Sequence, residues 1–212
     1  MIGRIVAVAA LLSAPVLGLA QDRLAGRLPE PARAAVAELV DSARTAGLPT
    51  DPLLNRALEG AAKGADGERI IAAVRSLAAR LGEARAALGA SATEAELVAG
   101  AAAVRAGASA AFLARLRREA PREPLVVPLA VMADLVARGV PADTAATSVL
   151  TLVRSGARDA DLVAFRENVE RDIALGAAAG ASATARTGAD ASALSTAGTP
   201  TTTGTPSVPR KP

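Results

Sequence analysis

The chain of 212 residues has no cysteine, no histidine, no tryptophan and no tyrosine, and its aromatic side chains are Phe112 and Phe165 alone. Without cysteine there are no disulfides, no thiolate nucleophile and no thiolate ligand for a metal. Without histidine the usual proton carrier near neutral pH and the commonest metal ligand are missing as well. No metal or cofactor is therefore expected. What remains for chemistry is carboxylates, hydroxyls, arginine and lysine, and of 24 basic residues only Lys63 and Lys211 are lysines. The scarcity of aromatics also removes the stacking platforms on which nucleic-acid and sugar sites are built.

Charge of one sign is scarce too, once the chain is divided. The formal net charge of +3 comes from the ends: Arg4 at the start, and Arg186, Arg210 and Lys211 against Asp190 after residue 178. Residues 22–178 carry 20 basic and 20 acidic groups. A neutral body offers no electrostatic footprint for a phosphate backbone, so nucleic acid is not an expected partner.

The N-terminal stretch "MIGRIVAVAALLSAPVLGLAQD" has a basic start at Arg4, an apolar run from Ile5 to Ala20, and small residues Gly18 and Ala20 before Gln21. It reads as a secretory signal peptide over residues 1–20, cleaved after Ala20. The run is shorter than a membrane span and holds Pro15, so a retained anchor is the weaker reading. A periplasmic or secreted location follows, with membrane contact only before cleavage. Residues 21–30 read as a linker. From residue 177 to 212 the composition shifts to Ala, Gly, Ser, Thr and Pro, which predicts a disordered tail.

Between these ends apolar residues recur at helical spacing, as in Val36, Leu39, Val40 and Ala43, or Ile70, Val74, Leu77 and Leu81. Nothing alternates with a period of two. The expected class is all-α, an array or bundle of about eight short antiparallel helices over residues 31–176. Predicted helices are 31–46, 52–63, 67–87, 92–106, 109–119, 128–138, 142–155 and 159–174. The breaks share one pattern, a glycine, then a small or branched apolar residue, then a helix start, seen at Gly47, Gly64, Gly89, Gly107, Gly139 and Gly156. Such a glycine closes a helix at positive φ, and the next helix begins under a cap or a proline. Ser91 with Glu94 has capping-box spacing.

The glycine spacing exposes an internal duplication. Residues 39–78 align with 131–170 at a constant offset of 92, pairing Gly47 with Gly139, Pro49 with Pro141, Asp51 with Asp143 and Gly64 with Gly156. Three helical units follow, about 31–88, 89–127 and 128–176. Each is too small to bury its apolar face alone and has to stack on its neighbours. The irregular connection "REAPREPLVVP", bracketed by Pro124 and Pro128, reads as a seam between halves of the array.

Clusters that could carry chemistry are few. Glu167, Glu170 and Asp172 lie among Arg166 and Arg171, and read as a solvated helix face. Asp159 and Asp161 lack the glycine and distal glutamate of a calcium loop, and suit a helix N-terminus instead. Glu59 and Lys63 have the spacing of a helical ion pair, private to the first unit because the offset places Thr151 and Ser155 opposite them. Arg115, Arg117 and Arg118 form the strongest basic cluster. The sequence thus predicts an exported, non-enzymatic helical repeat protein acting as a binding or scaffold module in a bacterial envelope. Glu59, Lys63, Arg115, Arg117 and Arg118 are the candidate contacts to a protein or peptide partner. The alternatives are an envelope hydrolase or lyase using two of Glu59, Glu167 and Glu170, and an anionic-surface binder using the Arg115–Arg118 helix.

Overall fold

A computed structural model of the chain describes residues 23–197. These residues form nine α-helices and no strand: α1 Glu30–Thr45, α2 Asp51–Ala62, α3 Gly67–Leu88, α4 Glu94–Arg105, α5 Ala110–Glu119, α6 Val126–Ala137, α7 Ala142–Arg154, α8 Asp159–Ala174 and α9 Ala179–Ala197. The all-α class is correct, and eight of the helices start and stop within two residues of the predicted bounds. Residues 1–22, where a signal peptide over 1–20 is expected, and residues 198–212 lie outside the described residues. Among the described residues no helix is long and apolar enough to cross a membrane.

The helix ends follow from the glycine pattern. Gly47, Gly64, Gly107, Gly139 and Gly156 all have positive φ, between 67° and 106°. At Gly139 the Val140 amide donates to the Leu135 carbonyl (3.0 Å) and the Gly139 amide to Val136 (2.9 Å), which is the paired bonding of a Schellman stop. Val140 then folds back into the core at 1% exposure. Gly89 differs: its amide bonds to the Arg85 carbonyl at 3.0 Å, and no second crossing bond accompanies it. The Arg85 side chain fills part of the gap by donating to the Ala90 carbonyl (3.0 Å).

Helix starts use three versions of one device. Asp66 accepts from the Arg69 amide at 2.8 Å, which caps α3. At the offset position the roles are exchanged, because the Asp161 carboxylate accepts from the Arg158 amide at 2.8 Å. Ahead of α4 both halves coexist, between Thr93 and Glu96. The capping box is therefore Thr93 with Glu96, not Ser91 with Glu94. Ser91 falls in the turn, and Glu94 is already the first helical residue.

The chain divides into two compact units inside α3, between Ala78 and Ala79. The first holds α1, α2 and the start of α3 around Leu24, Val36, Val40, Leu53 and Val74, none of them exposed. The second holds the remaining helices around Leu97, Leu113, Leu129, Met132, Leu135 and Phe165, equally closed to solvent. The proline-rich connection at 121–128 lies within the second unit and is not a seam. The duplication extends upstream of Leu39, since Leu24 and Leu116 are both at 0% exposure and Leu28 and Ala120 both at 7%.

The tail prediction needs correction. Structure does not stop at residue 177: Gly176 (φ 96°) makes one more Schellman stop, and α9 follows. Its Ala183 and Thr187 are buried against α7 and α8. Its hydroxyls are absorbed locally, with Thr184, Thr187 and Ser192 each donating to the carbonyl four residues back at 2.7–2.9 Å. Arg186 and Ser182 also tie α9 to Asp172 on α8. A sequence whose only large apolar residue is Leu194 stays helical here because Ala packs close and Asp172 holds the turns that carry Ser182 and Arg186.

Candidate functional site

The one buried ionic centre among the described residues is Glu96, at 4% exposure. Oε2 accepts from the Thr93 amide at 2.8 Å, and Oε1 from Arg117 Nη2 at 2.5 Å and the Leu125 amide at 3.0 Å. Burial alone would push its carboxyl up. The Thr93 amide, the Arg117 guanidinium and the Leu125 amide outweigh that and hold it below the ordinary glutamate value. Arg117 also donates to the Glu123 carbonyl at 3.3 Å. One carboxylate thus joins the start of α4, the body of α5 and the connection that leads into α6.

That connection needs such anchoring because it has little regular bonding of its own. Pro121 follows the last residues of α5 and forces Ala120 out of the helical region (φ −130°, ψ 70°). Pro128 then limits how early α6 can begin. Proline is tolerated in a first turn but not deeper in a helix, where it costs about 3 kcal/mol. α6 accordingly starts at Val126, with Pro128 in its first turn.

The exposed connection forms one wall of an open groove of about 920 Å³. The opposite wall is the turn from α7 into α8, from Gly156 to Ala160. Val153, Leu125, Pro128 and Leu162 provide an apolar floor, and Glu119, Arg122, Glu123, Arg158 and Asp159 form a charged rim. Glu119 is held across the groove end by Arg154 (3.7 Å) and by Arg115 on its own helix (3.8 Å). The rim therefore presents both signs above a floor of aliphatic and proline carbon. This can take up an extended polypeptide, whose backbone needs polar partners and whose side chains need apolar seats.

The predicted contact residues fare differently from one another. Arg117 is not a surface residue, because Glu96 and the Glu123 carbonyl occupy its guanidinium. This leaves Arg115 and Arg118 on the exposed face of α5, too few for a basic patch. Glu59 is clamped by Lys63 at 2.5 Å and Arg56 at 3.0 Å, and those two partners hold its carboxyl below the usual range. Lys63 is 71% exposed, as a surface ion pair would be.

Of the carboxylates considered for catalysis, Glu167 faces Arg166, and Glu170 faces Arg138 and Arg166 beside Asp134 in a hollow of about 230 Å³. Asp172 accepts from Nε and Nη2 of Arg186 at 2.8–2.9 Å and from the Ser182 hydroxyl. Arg186 first, then Ser182, pull it down to about 2. Among the described residues no group of three or more acidic side chains is placed to hold a metal.

Reading along the sequence missed the groove and the role of Glu96. Thr93 with Glu96 has the same spacing as Ser91 with Glu94, and was legible on that ground; the prolines at 121, 124 and 128 marked the wall. Searched against known protein families, curated proteins and solved structures, the chain matches none of them.

Proposed function

We propose that the chain is a non-enzymatic helical repeat protein of the bacterial envelope, and that the groove beside α8 binds an extended segment of a protein partner. The observation that carries this reading is the groove itself, an apolar floor under a mixed-charge rim. Its wall is fixed by a buried ion pair that has no other evident task. The reading is further supported by the ion pairing of every carboxylate considered for catalysis: none is left as an unpaired acid and base flanking a common cleft. Export rests on the character of residues 1–22.

The test is a photo-cross-linking side chain placed at Ala157, which lines the groove, in the full chain mixed with envelope extract. A discrete adduct is expected, and Ala160→Arg, which narrows the groove, abolishes it. The same probe at Ala185, on the outer face of α9, gives no such adduct. Adducts that are identical with and without Ala160→Arg would defeat the proposal.

A further inference from the structure

The two copies of the duplication differ on one face, and α9 is the difference. We infer that α9 is a strap that opens as a unit while α4 to α8 stay folded, and that the clasp of Asp172 on Ser182 and Arg186 holds it shut. The inference stands apart from what the groove binds.

Three observations carry it. The first is that the helices beneath α9 have counterparts that stand without such a cover. α9 packs on α7 and α8, and α6 holds each of those two independently. On α7, Ala142 faces α5, since a Cβ on Gly107 would lie 3.2 Å from its own, whereas Pro141 faces α9, at 3.3 Å from a Cβ on Gly180. At about 100° per residue, Ser148, Thr151 and Ser155 fall on the Pro141 flank, under α9. Ser148 is buried, and all three are small and uncharged. At the offset of 92 the same stripe of α2 carries Arg56, Glu59 and Lys63, which are exposed and pair through Glu59. Asp172 itself stands where the first copy has Arg80, and Val169, closed to solvent, stands where Leu77 is half-buried. α2 keeps Leu53, Leu54 and Ala57 buried with its stripe in water, so the core side of such a helix does not depend on a strap.

The second is how little α9 itself brings. Its buried side chains are Ser182, Ala183 and Thr187, its one large apolar residue, Leu194, is half-buried, and Gly188 sits within it. A helix so poor in apolar area, with a glycine in its interior, is marginal when left to itself. Elements held by few apolar contacts are the ones that open below the global unfolding free energy. The clasp is concentrated at one carboxylate, which takes two donors of Arg186 and the Ser182 hydroxyl. The third is the pivot. Gly176 turns the chain at φ 96°, residues 174–178 are exposed, and Leu175, at 82% exposure, gives the turn no apolar anchor. Opening there bares the uncharged stripe of α7 and frees Asp172 beside it.

Native-state amide exchange in the full chain, followed as urea is raised, tests this. Ala183, Thr187 and Ala191 should exchange at least about tenfold faster than Met132 and Leu135 of α6, through an opening that depends little on urea. Arg186→Ala should speed the α9 amides by about a further tenfold and leave those of Met132 and Leu135 unmoved. Because the chain has no cysteine, a second probe is clean. Ser148→Cys, under the strap, should react with a thiol reagent well before Val131→Cys, at a site buried in α6, and Arg186→Ala should quicken only the first. α9 amides that exchange with those of α6 at one rate and one urea dependence would make α9 an integral part of the fold and overturn the inference. So would α9 amides exchanging as fast as in an unstructured peptide, a Ser148→Cys thiol as slow as the one at residue 131, or an Arg186→Ala change that speeds both helices alike.

Discussion

Replacing Glu96 with alanine isolates the centre that builds the groove wall. The carboxylate is 4% exposed and accepts from two backbone amides and a guanidinium. Its removal leaves Arg117, 18% exposed, without its counter-charge, and breaking a buried pair from one side costs about 3–5 kcal/mol. The loss of the capping box falls within the same change, so its ~1 kcal/mol is not simply additive. With a urea slope of about 2 kcal/mol per molar, the midpoint for the second unit should fall by roughly 1.5–2.5 M. Far-UV circular dichroism must follow the transition, because there is no Trp or Tyr to report by fluorescence. Glu96→Gln keeps one acceptor oxygen and should lose about half as much. Pairing Glu96→Met with Arg117→Met should recover part of the loss, since no charge is then stranded, although the Leu125 amide stays unpaired. A Glu96→Ala midpoint within 0.3 M of the parent, on the order of measurement scatter, would refute the assignment of the wall to this pair.

Other outcomes follow from the same geometry. Gly82→Ala, with nothing within 4 Å of the added carbon, should stabilise α3 by about 0.5–1 kcal/mol; Gly100→Ala, whose Cβ would lie 2.9 Å from Ala84 Cβ, should destabilise by about 1–3 kcal/mol, both read from urea midpoints. Asp172 titrates near 3.8 when unfolded and near 2 when folded, so its contribution to docking α9 is complete above pH 3.8 and disappears as pH falls toward 2. Amide exchange in α9 should accelerate across that window, and Asp172→Asn should make it fast at every pH. Lys63→Ala should leave the melting temperature unchanged within error, because the pair it breaks is exposed and screened.

The helices were legible because two signals coincide in this sequence. Apolar stripes at helical spacing mark the faces that Val36, Val40, Leu53 and Val74 bury. Glycines at positive φ mark the ends. α9 was illegible for the opposite reason: its buried face is Ser182, Ala183 and Thr187, and composition cannot separate such a helix from a solvated tail. Only Gly176 followed by Ala177 repeats the stop pattern. Arg117 was misplaced because adjacency in "RLRRE" suggests one patch, whereas on a helix Arg117 points about 100° away from Arg118 and meets Glu96, 21 residues earlier.

The duplication explains why the groove occurs where it does. At the offset of 92, Asp159 and Pro124 of the groove correspond to Gly67 and Ala32 of the first copy. There α1 begins at Glu30, and buried Ala32 closes on Gly67 so tightly that a Cβ on the glycine would lie 3.0 Å from the alanine's. The second copy carries Pro128 where the first has Val36, and a proline so deep in a helix begun at residue 122 would be untenable. α6 therefore starts at Val126, four positions later than α1 by the offset. Residues 122–125 are left outside any helix, and the Ala–Gly contact has no counterpart. Asp159, whose Cβ at the position of Gly67 would press on Ala32, then finds room on an open rim. A single substitution by proline thus separates a closed corner in one copy from a groove in the other, and Glu96 with Arg117 keeps the opened wall from collapsing.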